Sequence, residues 1–539
     1  MESIRVERLD HLGIVAGVIK DLGIISMIDA HIPPAAGKEE ISTGEAISGM
    51  ILNGLGFSDR PMSLTPQFFE NKPLDILIRP GVSASHFNRF KLGRSLDDVF
   101  TYGCDLLFCE IASDACRKEA IDRRFNHLDT STFSLTGEYL PDTDEEAIEI
   151  TYGHSKDHRP DLKQAVLELM SSHDGGVPFL CKAWNGNGSD NAIFEARSKE
   201  LIKQFEDSEG PRYLIADSKL YSEPNAANLA HHRFLTRIPG TLKLEHQLIA
   251  QAWRSGSWTD LEEGYRAQSV ELCHYGMEQR WLIVYSDAAW NRAESTLAKI
   301  VEKEQEAAAK HLFHLQAKRF SCEQDARNAL EKIVQGYKYH GLAEVEVVEH
   351  IRYAKKGKPT ADTPVKAIEW QIKAGIKVDS QRIVAEQQYR SCFILATNIA
   401  ELSELELLKA YKGQSCVERG FRFLKDPLFF TSSLFLKKPS RIQGLLMVMT
   451  LSLLVYSIAE RRLRKQLDQQ QETLPNQIGQ PTATPTLRWI FQMLDGIHRV
   501  SISLQDQVKI IIEGMSDLRR KILSFFGDTV IQIYQLSAT

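Results

Sequence analysis

The stretch RFNHLDTSTFSLTG, residues 124–137, opens the region that decides the fold class of this chain. Its threonine and phenylalanine residues and its alternating pattern predict a β-strand, which carries Asp129. Two further strands are predicted at 163–175 and 177–184. Gly175–Gly176 lies between them and predicts a hairpin turn, because glycine readily adopts the positive φ angles of such turns. The region therefore begins with three strands in succession.

A helix and two more strands follow in the predicted order. The segment FEARSKELIKQFED, residues 194–207, has helical character, and PRYLIADSK, residues 211–219, is a short apolar strand that ends at Asp217. HRFLTRIPG, residues 232–240, is a further strand candidate. Strands that alternate with a helix in this way indicate a mixed α/β domain.

The chain has 539 residues, which is too many for one hydrophobic core, so about two to four domains are expected. Residues 1–118 have helical periodicity. Residues 246–395 are predicted to form a separate body of short strands, with one long charged helix at about 287–336. A polar segment rich in glutamine and proline at 467–486 predicts a flexible linker.

The net charge and the cysteines limit the classes of function. The formal net charge is −6, so a nucleic-acid surface must be a local basic patch and not a global excess of positive charge. The eight cysteines include no CxxC pair and no zinc-type spacing, which favours reduced thiols in a cytoplasmic protein. The apolar run 442–459 has the minimum length of a membrane span, but its polar interruptions favour a buried core helix.

Three acidic residues stand out by position. Asp129 lies within the first strand, Asp217 ends an apolar strand, and Glu418 lies on a predicted helix that follows a strand at 391–398. A carboxylate at the end of an apolar strand is costly to bury unless it is paired or binds a cation. Converging carboxylates would supply the oxygen ligands that Mg²⁺ prefers. The alternative is that each acid caps a nearby turn or strand end.

A polar stripe includes Glu418 on the helix predicted from about 402 to 426. Tyr411, Glu418 and Lys425 are seven residues apart, and seven residues turn a helix by about 700°, so the three share one face. Gln414 joins the same stripe. Because the stripe is polar, it is not a hydrophobic seam. It is either a solvated face or a surface that offers hydrogen-bond donors to DNA phosphates.

The spacing of Tyr411, Gln414, Glu418 and Lys425 resembles a known signature, Y-(2)-R-(3)-E-(6)-K. This signature belongs to transposases of the IS-four superfamily of bacterial insertion sequences. The one departure is Gln414, which stands where the family has arginine. Glutamine can still donate a hydrogen bond to a phosphate, but it carries no charge.

Other segments resemble the same family in the same order. HLDTSTFSLTGEY around Asp129 is similar to the segment of its first catalytic aspartate, and YLIADSKLYS around Asp217 is similar to that of its second. ITYGHSKDHRPDLKQ, residues 150–164, and the N-terminal MILNGLGFSDRPMSLTPQFFENKPLD resemble one long-chain branch that has a helical leader domain. The resemblance therefore covers most of the chain.

The resemblance implies an α/β fold: a ribonuclease-H-like mixed-sheet catalytic core, interrupted by a β-rich insertion domain and preceded by an all-helical N-terminal domain. The implied divisions are a helical domain for DNA-end binding (1–118), the first part of the core (119–245), the insertion domain (246–395), the second part of the core (396–466), and a linker with a small C-terminal helical region (467–539).

The implied function is metal-dependent cleavage and strand transfer of DNA at the terminal inverted repeats of an insertion sequence. Asp129, Asp217 and Glu418 would be the catalytic residues and would bind two Mg²⁺ ions, with Mn²⁺ as a substitute. The implied partners are the double-stranded DNA of the element ends and of the target, and a second copy of the chain in the DNA complex, with no membrane. Such a protein would act in the bacterial cytoplasm, at the nucleoid.

Several residues are predicted to contact DNA. The loop GHSKDHRPDLK lies near Asp129 in the predicted core, where a DNA strand must pass. The full predicted set is Tyr411, Gln414, Lys425, Arg422, Lys156, His158 and Arg159. A separate cluster of seven basic residues with one acid lies between 437 and 465 and could follow DNA, or it could be a solvated helix end.

Two alternatives remain open from the sequence. One is a different ribonuclease-H-like nuclease, which would not require specific terminal repeats. The other is a DNA-binding relic that is catalytically impaired at Gln414.

Overall fold

The computed structural model describes the chain except for residues 1–2, 35–36, 38, 59–60, 140–145, 207–209, 211, 355–357, 361, 430–435, 505–506 and 537–539. The chain divides into two units. Residues 1–236 and 407–539 form the first unit, and residues 237–406 form the second. The predicted insertion domain, 246–395, lies within the second unit.

The N-terminal region is mostly helical, as predicted, but it begins with a strand. Its elements are β1 (Ser3–Arg8), α1 (Leu12–Leu22), α2 (Ile24–His31), α3 (Thr43–Leu55), α4 (Thr65–Phe69), α5 (Leu74–Leu77), α6 (Arg89–Tyr102) and α7 (Cys104–Lys118). Helix α3 is buried along its whole length. It begins at Ser42, whose hydroxyl accepts a hydrogen bond from the Glu45 amide while the Glu45 carboxylate accepts one from the Ser42 amide.

The central sheet of the first unit carries the strands predicted from the sequence. Its elements are β2 (Phe125–Leu135), β3 (Lys163–Ser172), β4 (Pro178–Trp184), α8 (Asp190–Glu206), β5 (Tyr213–Ala216), α9 (Ala226–Leu229) and β6 (Arg233–Arg237). The strand order is β4-β3-β2-β5-β6. Strands β2, β3 and β4 pair antiparallel, whereas β5 runs parallel to both β2 and β6. This order and these directions are those of a ribonuclease-H-like core, so the predicted fold class is confirmed.

The last helices of the core come from the second half of the chain. They are α14 (Glu404–Lys412), α15 (Ser415–Leu424) and α16 (Pro439–Gln469). The apolar run 442–459 lies in α16, which packs against α3, α6 and β4. By length and composition α16 could cross a membrane, but 89% of its most apolar window is buried inside the protein. Its apolar side chains form the core of the first unit.

The second unit combines strands with long helices. Its elements are α10 (Lys243–Ser255), β7 (Thr259–Asp260), β8 (Tyr265–His274), β9 (Met277–Ser286), α11 (Asp287–Ala317), α12 (Glu323–Val334), β10 (His340–Tyr353), β11 (Val365–Val378), α13 (Ser380–Arg390) and β12 (Cys392–Thr397). Within this unit β12, β9, β8 and β7 pair antiparallel in that order. The hairpin of β10 and β11 packs on α11 and α12 around Ile372.

The long charged helix predicted at 287–336 is two helices, α11 and α12. The chain breaks between them at Phe320, whose backbone amide donates to the carbonyl of Trp370 over 2.9 Å while its carbonyl accepts from the Trp370 amide. Cys322 then caps α12. The side chain of Phe320 is buried in the same apolar cluster as Ile372, so packing against β11 overrides the continuous helical pattern.

The C-terminal region differs from the predicted linker and helical piece. It contains β13 (Leu474–Pro475), β14 (Pro481–Thr482), α17 (Leu487–Met493), β15 (His498–Leu504), β16 (Gln507–Glu513), α18 (Asp517–Ser524) and α19 (Asp528–Ile533). Strand β15 pairs antiparallel with β1 in the register Arg8↔His498. The Tyr534 hydroxyl donates to the carbonyl of Asp10. The two ends of the chain therefore form one sheet and one packed layer.

Candidate active site

The parallel pairing of β2 and β5 brings the first two predicted acids, Asp129 and Asp217, close to each other. The register pairs Leu128 with Ala216, so the next residues along the chain are the two acids, Asp129 within β2 and Asp217 directly after β5. Neighbouring strands lie about 4.8 Å apart, so carboxylates at matched positions of a parallel pair are neighbours. The strand β5 is four buried apolar residues, and it ends where Asp217 begins. The sequence pattern of an apolar strand that ends in an acid thus places Asp217 beside Asp129.

The third predicted acid, Glu418, lies one turn into α15, and Gln414 ties the start of this helix to β2. The Gln414 side-chain amide Nε2 donates to the carbonyl of Leu128 over 2.8 Å. Its Oε1 lies 3.3 Å from Nδ1 of His127. Since Leu128 directly precedes Asp129, this contact sets the position of α15 relative to the strand that carries the first acid.

The three acids line one cavity of about 510 Å³ in the first unit. The side chain of Glu418 is exposed, whereas those of Asp129 and Asp217 are half-buried. The described residues that line the cavity are Asp129, Thr130, Ser131, His154, Lys156, Asp190, Asp217, Lys219, Glu418 and Phe421. The cavity is therefore a polar, acidic cleft with two lysines at its wall.

A second group of polar residues lies beside Asp129. The ammonium of Lys156 donates to the carbonyl of Thr130 over 2.7 Å and to its hydroxyl over 2.8 Å. The same ammonium lies 3.1 Å from Oδ2 of Asp190 and 3.9 Å from Oδ1 of Asp129. The Thr130 hydroxyl donates to Oδ1 of Asp190 over 2.6 Å.

The electrostatics of the cavity penalise ionised carboxylates. The pKa of Asp129 is raised to about 7, mainly by burial and also by the nearby Asp217 and Asp190, while Lys156 and the hydrogen bond from the Thr130 amide oppose this rise. Burial also raises the pKa of Asp217, although the Lys219 amide donates to its carboxylate over 2.9 Å. The cluster therefore has more negative charge than its own cations balance, which is the situation that a bound cation relieves.

The acidic residues of the cavity fit a divalent metal ion whose coordination shell is completed by the substrate. Among the described residues, no three Asp, Glu, His or Cys side chains are close enough to hold one ion by themselves. Mg²⁺ is usually held by one or two carboxylates, with substrate phosphates and water completing its octahedral shell. Asp129 and Asp217 on neighbouring strands match that requirement, and Glu418 faces the same cavity from the helix.

Comparison with known proteins assigns the family. The family described as "Transposase DDE domain" matches residues 128–455, more than half of the chain. The chain belongs to the DDE transposases. The match begins within β2, at the residue before Asp129, and ends within α16, so it includes every described residue that lines the cavity. A DDE transposase cleaves DNA during transposition and uses divalent metal ions.

The other comparisons add little to this assignment. Residues 4–113 of the transposase match a domain of unknown function, DUF4277, which corresponds to its N-terminal helical region. No curated protein matches the sequence. One solved structure that matches is the piggyBac transposase synaptic complex with hairpin DNA, determined by cryo-EM. It has a TM-score of 0.34 and 10% identity, and the alignment covers 90% of this chain and 79% of that chain.

The predicted polar stripe is broken in the transposase structure. Helix α14 ends at Lys412 and α15 begins at Ser415, because Gly413 and Gln414 form a turn. A side chain at Gly413 would meet the His173 ring, so the close approach of α15 to the sheet requires glycine here. Tyr411 is half-buried at the end of α14 and is therefore not on the same helix as Glu418.

The side chain of Gln414 lies inside the protein. Its side chain is 7% exposed, and both ends of its amide have partners inside the protein. The structure shows a contact of Gln414 to the strand of Asp129, and its phosphate contact stays a prediction. The sequence could not separate these roles, because a polar residue in a helical stripe is compatible with either side of the helix.

The remaining predicted DNA contacts lie outside the cavity, apart from Lys156. The ammonium of Lys425 lies 2.6 Å from Oδ1 of Asp157. Arg159 pairs with Asp161 over 2.8 Å at the surface. His158 and Arg422 are exposed. Of the described residues that line the cavity, Lys156 is the only member of the predicted DNA-contact set.

The basic cluster at 437–465 is largely neutralised inside the fold. Each of its arginines has an acidic partner: Arg441 pairs with Asp97, Arg461 with Asp174, Arg462 with Asp21 and Glu119, and Arg464 with Glu460. These side chains are from 12% to 35% exposed, and they join α16 to other elements or, for Arg464, to the preceding turn of α16. These ion pairs give the arginines structural partners, and a DNA-following role for the cluster stays a prediction.

Among the residues of the cavity wall that sequence reasoning missed are an acid, Asp190, and a lysine, Lys219. Asp190 begins α8 after the glycine-rich turn NGNGS, and Lys219 is two residues beyond Asp217. An acid at the start of a helix normally indicates a favourable interaction with the helix dipole. Only the position of α8 beside β2 shows that Asp190 faces Thr130 and Lys156.

Proposed function

We propose that Asp129, Asp217 and Glu418 are the catalytic carboxylates of this transposase and that they bind two Mg²⁺ ions, with Mn²⁺ as a substitute. The supporting observation is their convergence on one cavity from β2, β5 and α15. The raised pKa values of Asp129 and Asp217 support the same assignment, because buried and mutually repelling carboxylates occur at metal sites.

The proposed chemistry is in-line attack on a DNA phosphodiester. Divalent ions in this site would neutralise charge on the phosphate and activate the attacking oxygen. Asp129 and Asp217 are positioned by the sheet, and Glu418 is positioned by the contact of Gln414 with Leu128. The attacking group is water in the cleavage step and a DNA 3′-hydroxyl in the transfer step.

We assign the outer DNA contacts to exposed or half-exposed residues around the cavity. Tyr411, Arg422 and Lys425 would contact phosphates from the side of α14 and α15, and His158 and Arg159 from the loop before β3. Phosphate oxygens accept hydrogen bonds from side chains of these types: phenol, ammonium, imidazole and guanidinium. Residues 1–118 would bind the DNA ends.

The proposed substrate is the pair of terminal inverted repeats of a bacterial insertion sequence of the IS-four superfamily. The support is the motif order around Asp129, Asp217 and Glu418, together with the spacing of Tyr411 and Lys425. Two copies of the chain would hold the two ends and the target DNA at the nucleoid. In this proposal residues 119–245 and 396–466 form the catalytic core and 246–395 form the insertion domain.

The structure favours an active enzyme over an impaired relic. The departure from the family signature is Gln414. Its uncharged amide forms hydrogen bonds with the Leu128 carbonyl and with the His127 ring, just before Asp129 in β2. All three carboxylates are present in the cavity. A nuclease without end specificity is the less favoured alternative, because the matching family is one of transposases.

A cleavage assay tests the proposal. The substrate is a duplex with the inverted repeats that flank the gene, and strand nicking is measured with Mg²⁺ or Mn²⁺. Asp129→Asn, Asp217→Asn and Glu418→Gln are each expected to lower the rate by about 100-fold or more, since each removes a charge that holds the metal. The matched control is Asp122→Asn, a carboxylate that pairs with Arg124 and is not among the described residues that line the cavity. Full activity of Asp129→Asn would overturn the assignment, and equal cleavage of unrelated DNA would favour the non-specific nuclease.

A further inference from the structure

The cavity contains a cation of its own, the ammonium of Lys156. It donates two hydrogen bonds to Thr130, over 2.7 and 2.8 Å, and lies between Asp190 at 3.1 Å and Asp129 at 3.9 Å. The backbone of Lys156 is also held, because its amide donates to the Thr132 hydroxyl over 3.0 Å. The lysine is therefore anchored to β2 at both ends.

Asp190 is the first residue of α8, but it is not needed as the side-chain cap of this helix. The hydroxyl of Ser189 accepts from the Ala192 amide and so caps the start of α8. The side chain of Asp190 contacts β2, where it accepts a hydrogen bond from the Thr130 hydroxyl over 2.6 Å, and it pairs with Lys156. It adds a fourth carboxylate to a cavity that already holds three.

We propose that Lys156 is a resident cation that competes with divalent metal for the carboxylate cavity, and that Asp190 is the positioning residue that holds the Lys156 ammonium beside Asp129. This inference rests on the proposed metal site. A cation 3.9 Å from a candidate ligand carboxylate repels an arriving metal ion and must move or be screened when the metal binds. The pair thus sets how tightly the site binds metal before DNA is present.

The first experiment measures metal affinity without DNA. The full-length chain is titrated with Mn²⁺ alone by calorimetry. Lys156→Met is expected to bind Mn²⁺ roughly tenfold more tightly than the wild type, because one opposing charge is removed, and Lys156→Arg should stay near the wild-type value. The control is Lys182→Met on β4, where Lys182 lies 3.7 Å from Glu200, with side-chain exposure of 30% against 29% for Lys156.

The second experiment measures the accessibility of the Lys156 amine itself. Brief acetylation followed by mass spectrometry gives its labelling rate, with Lys182 in the same molecule as internal reference. Asp190→Asn is expected to raise labelling of Lys156 about threefold or more, because the amine loses its charged partner. Addition of Mn²⁺ should raise it in the wild type and leave it unchanged in Asp129→Asn.

The outcomes separate this inference from the proposed function. If wild-type protein binds no Mn²⁺, or if Asp129→Asn binds it equally well, the proposed metal site is wrong. If Mn²⁺ binds through Asp129 but Lys156→Met leaves the affinity unchanged, the competition is refuted while the metal site stands. Unchanged labelling of Lys156 in Asp190→Asn would refute the positioning role of Asp190. Thermal melts of each variant identify any that fail to fold, and Lys156→Arg then provides the folded comparison.

Discussion

The side-chain amide of Gln414 donates a hydrogen bond of 2.8 Å to the carbonyl of Leu128, the residue before Asp129. The other end of the amide lies 3.3 Å from Nδ1 of His127. Burial lowers the pKa of His127 to about 3, so its ring is neutral and Nδ1 can donate to Oε1 of Gln414. Gln414 therefore joins the helix of Glu418 to the strand of Asp129 by two uncharged contacts.

Replacing Gln414 by alanine should separate a positioning role from a DNA-binding role. We expect Gln414→Ala to lower stability by about 2 kcal/mol, since it leaves buried groups of Leu128 and His127 unpaired. Cleavage should slow while affinity for the DNA ends stays within about twofold, because the residue does not reach the surface. Gel-shift affinity and single-turnover cleavage provide the two measurements. A loss of affinity as large as that of Lys425→Ala would instead indicate a direct DNA contact.

The pair of Lys425 and Asp157 should control affinity for DNA. The ammonium lies 2.6 Å from the carboxylate, so Asp157 competes with a phosphate for it. Asp157→Asn should tighten DNA binding about twofold at low salt, and the gain should shrink as salt screens the charges. Lys425→Ala should weaken binding and reduce the slope of log affinity against log salt by about 1. Fluorescence anisotropy over a salt series measures both effects, with Asp122→Asn as the unchanged control, and an Asp157→Asn variant that binds more weakly would contradict the competition.

Asp129 should make the metal-free protein less stable as pH rises. Its folded-state pKa is about 7, above the value of about 4 for an unfolded aspartate, so between these values the folded state retains a proton that the unfolded state releases. Stability from this group is therefore present below about pH 4 and is lost as pH rises through about 7. We expect Asp129→Asn to be more stable than the wild type at neutral pH, by an amount on the order of 2 kcal/mol, with the difference vanishing near pH 4.

Denaturant unfolding in chelator at several pH values measures this difference. Added Mg²⁺ should stabilise the wild type at neutral pH and leave Asp129→Asn unaffected, because only the ionised carboxylate binds the ion. An Asn variant that is less stable than the wild type at every pH would show that the carboxylate has a structural partner in the folded protein.

Arg462 should behave as a structural residue and not as a DNA contact. Its guanidinium is 17% exposed, lies 2.6 Å from Asp21 and also pairs with Glu119, so it joins α16 to the N-terminal helices. Arg462→Ala should lower the free energy of unfolding by about 3 kcal/mol, because two carboxylates lose their cation. DNA affinity should be unchanged at temperatures where the variant is folded. Lys465→Ala, at an exposed site of the same helix, provides the matched control. Weaker DNA binding by Arg462→Ala without loss of stability would instead support a DNA-binding role for the basic cluster at 437–465.

The sequence by itself determined the order of the core strands and the nature of the long apolar helix. The threonine and phenylalanine residues of β2, the glycine turn between β3 and β4, and the apolar run of β5 are local properties, and each is visible within a few residues. The position of Asp129 within β2 and that of Asp217 directly after β5 can be read from the same short segments. The motif spacing around Glu418 predicted which later acid belongs with them.

The tertiary structure decided which faces and which distant segments meet. The pairing of β1 with β15 joins residues at opposite ends of the chain, and no local pattern specifies such a partner. The break between α14 and α15 at Gly413 turns the side chain of Gln414 towards β2, where it is buried. The contact of Asp190 with Lys156 likewise depends on where the first residue of α8 lies relative to β2. Periodicity predicts elements because it arises from backbone geometry, whereas partners depend on packing between segments that are remote in sequence.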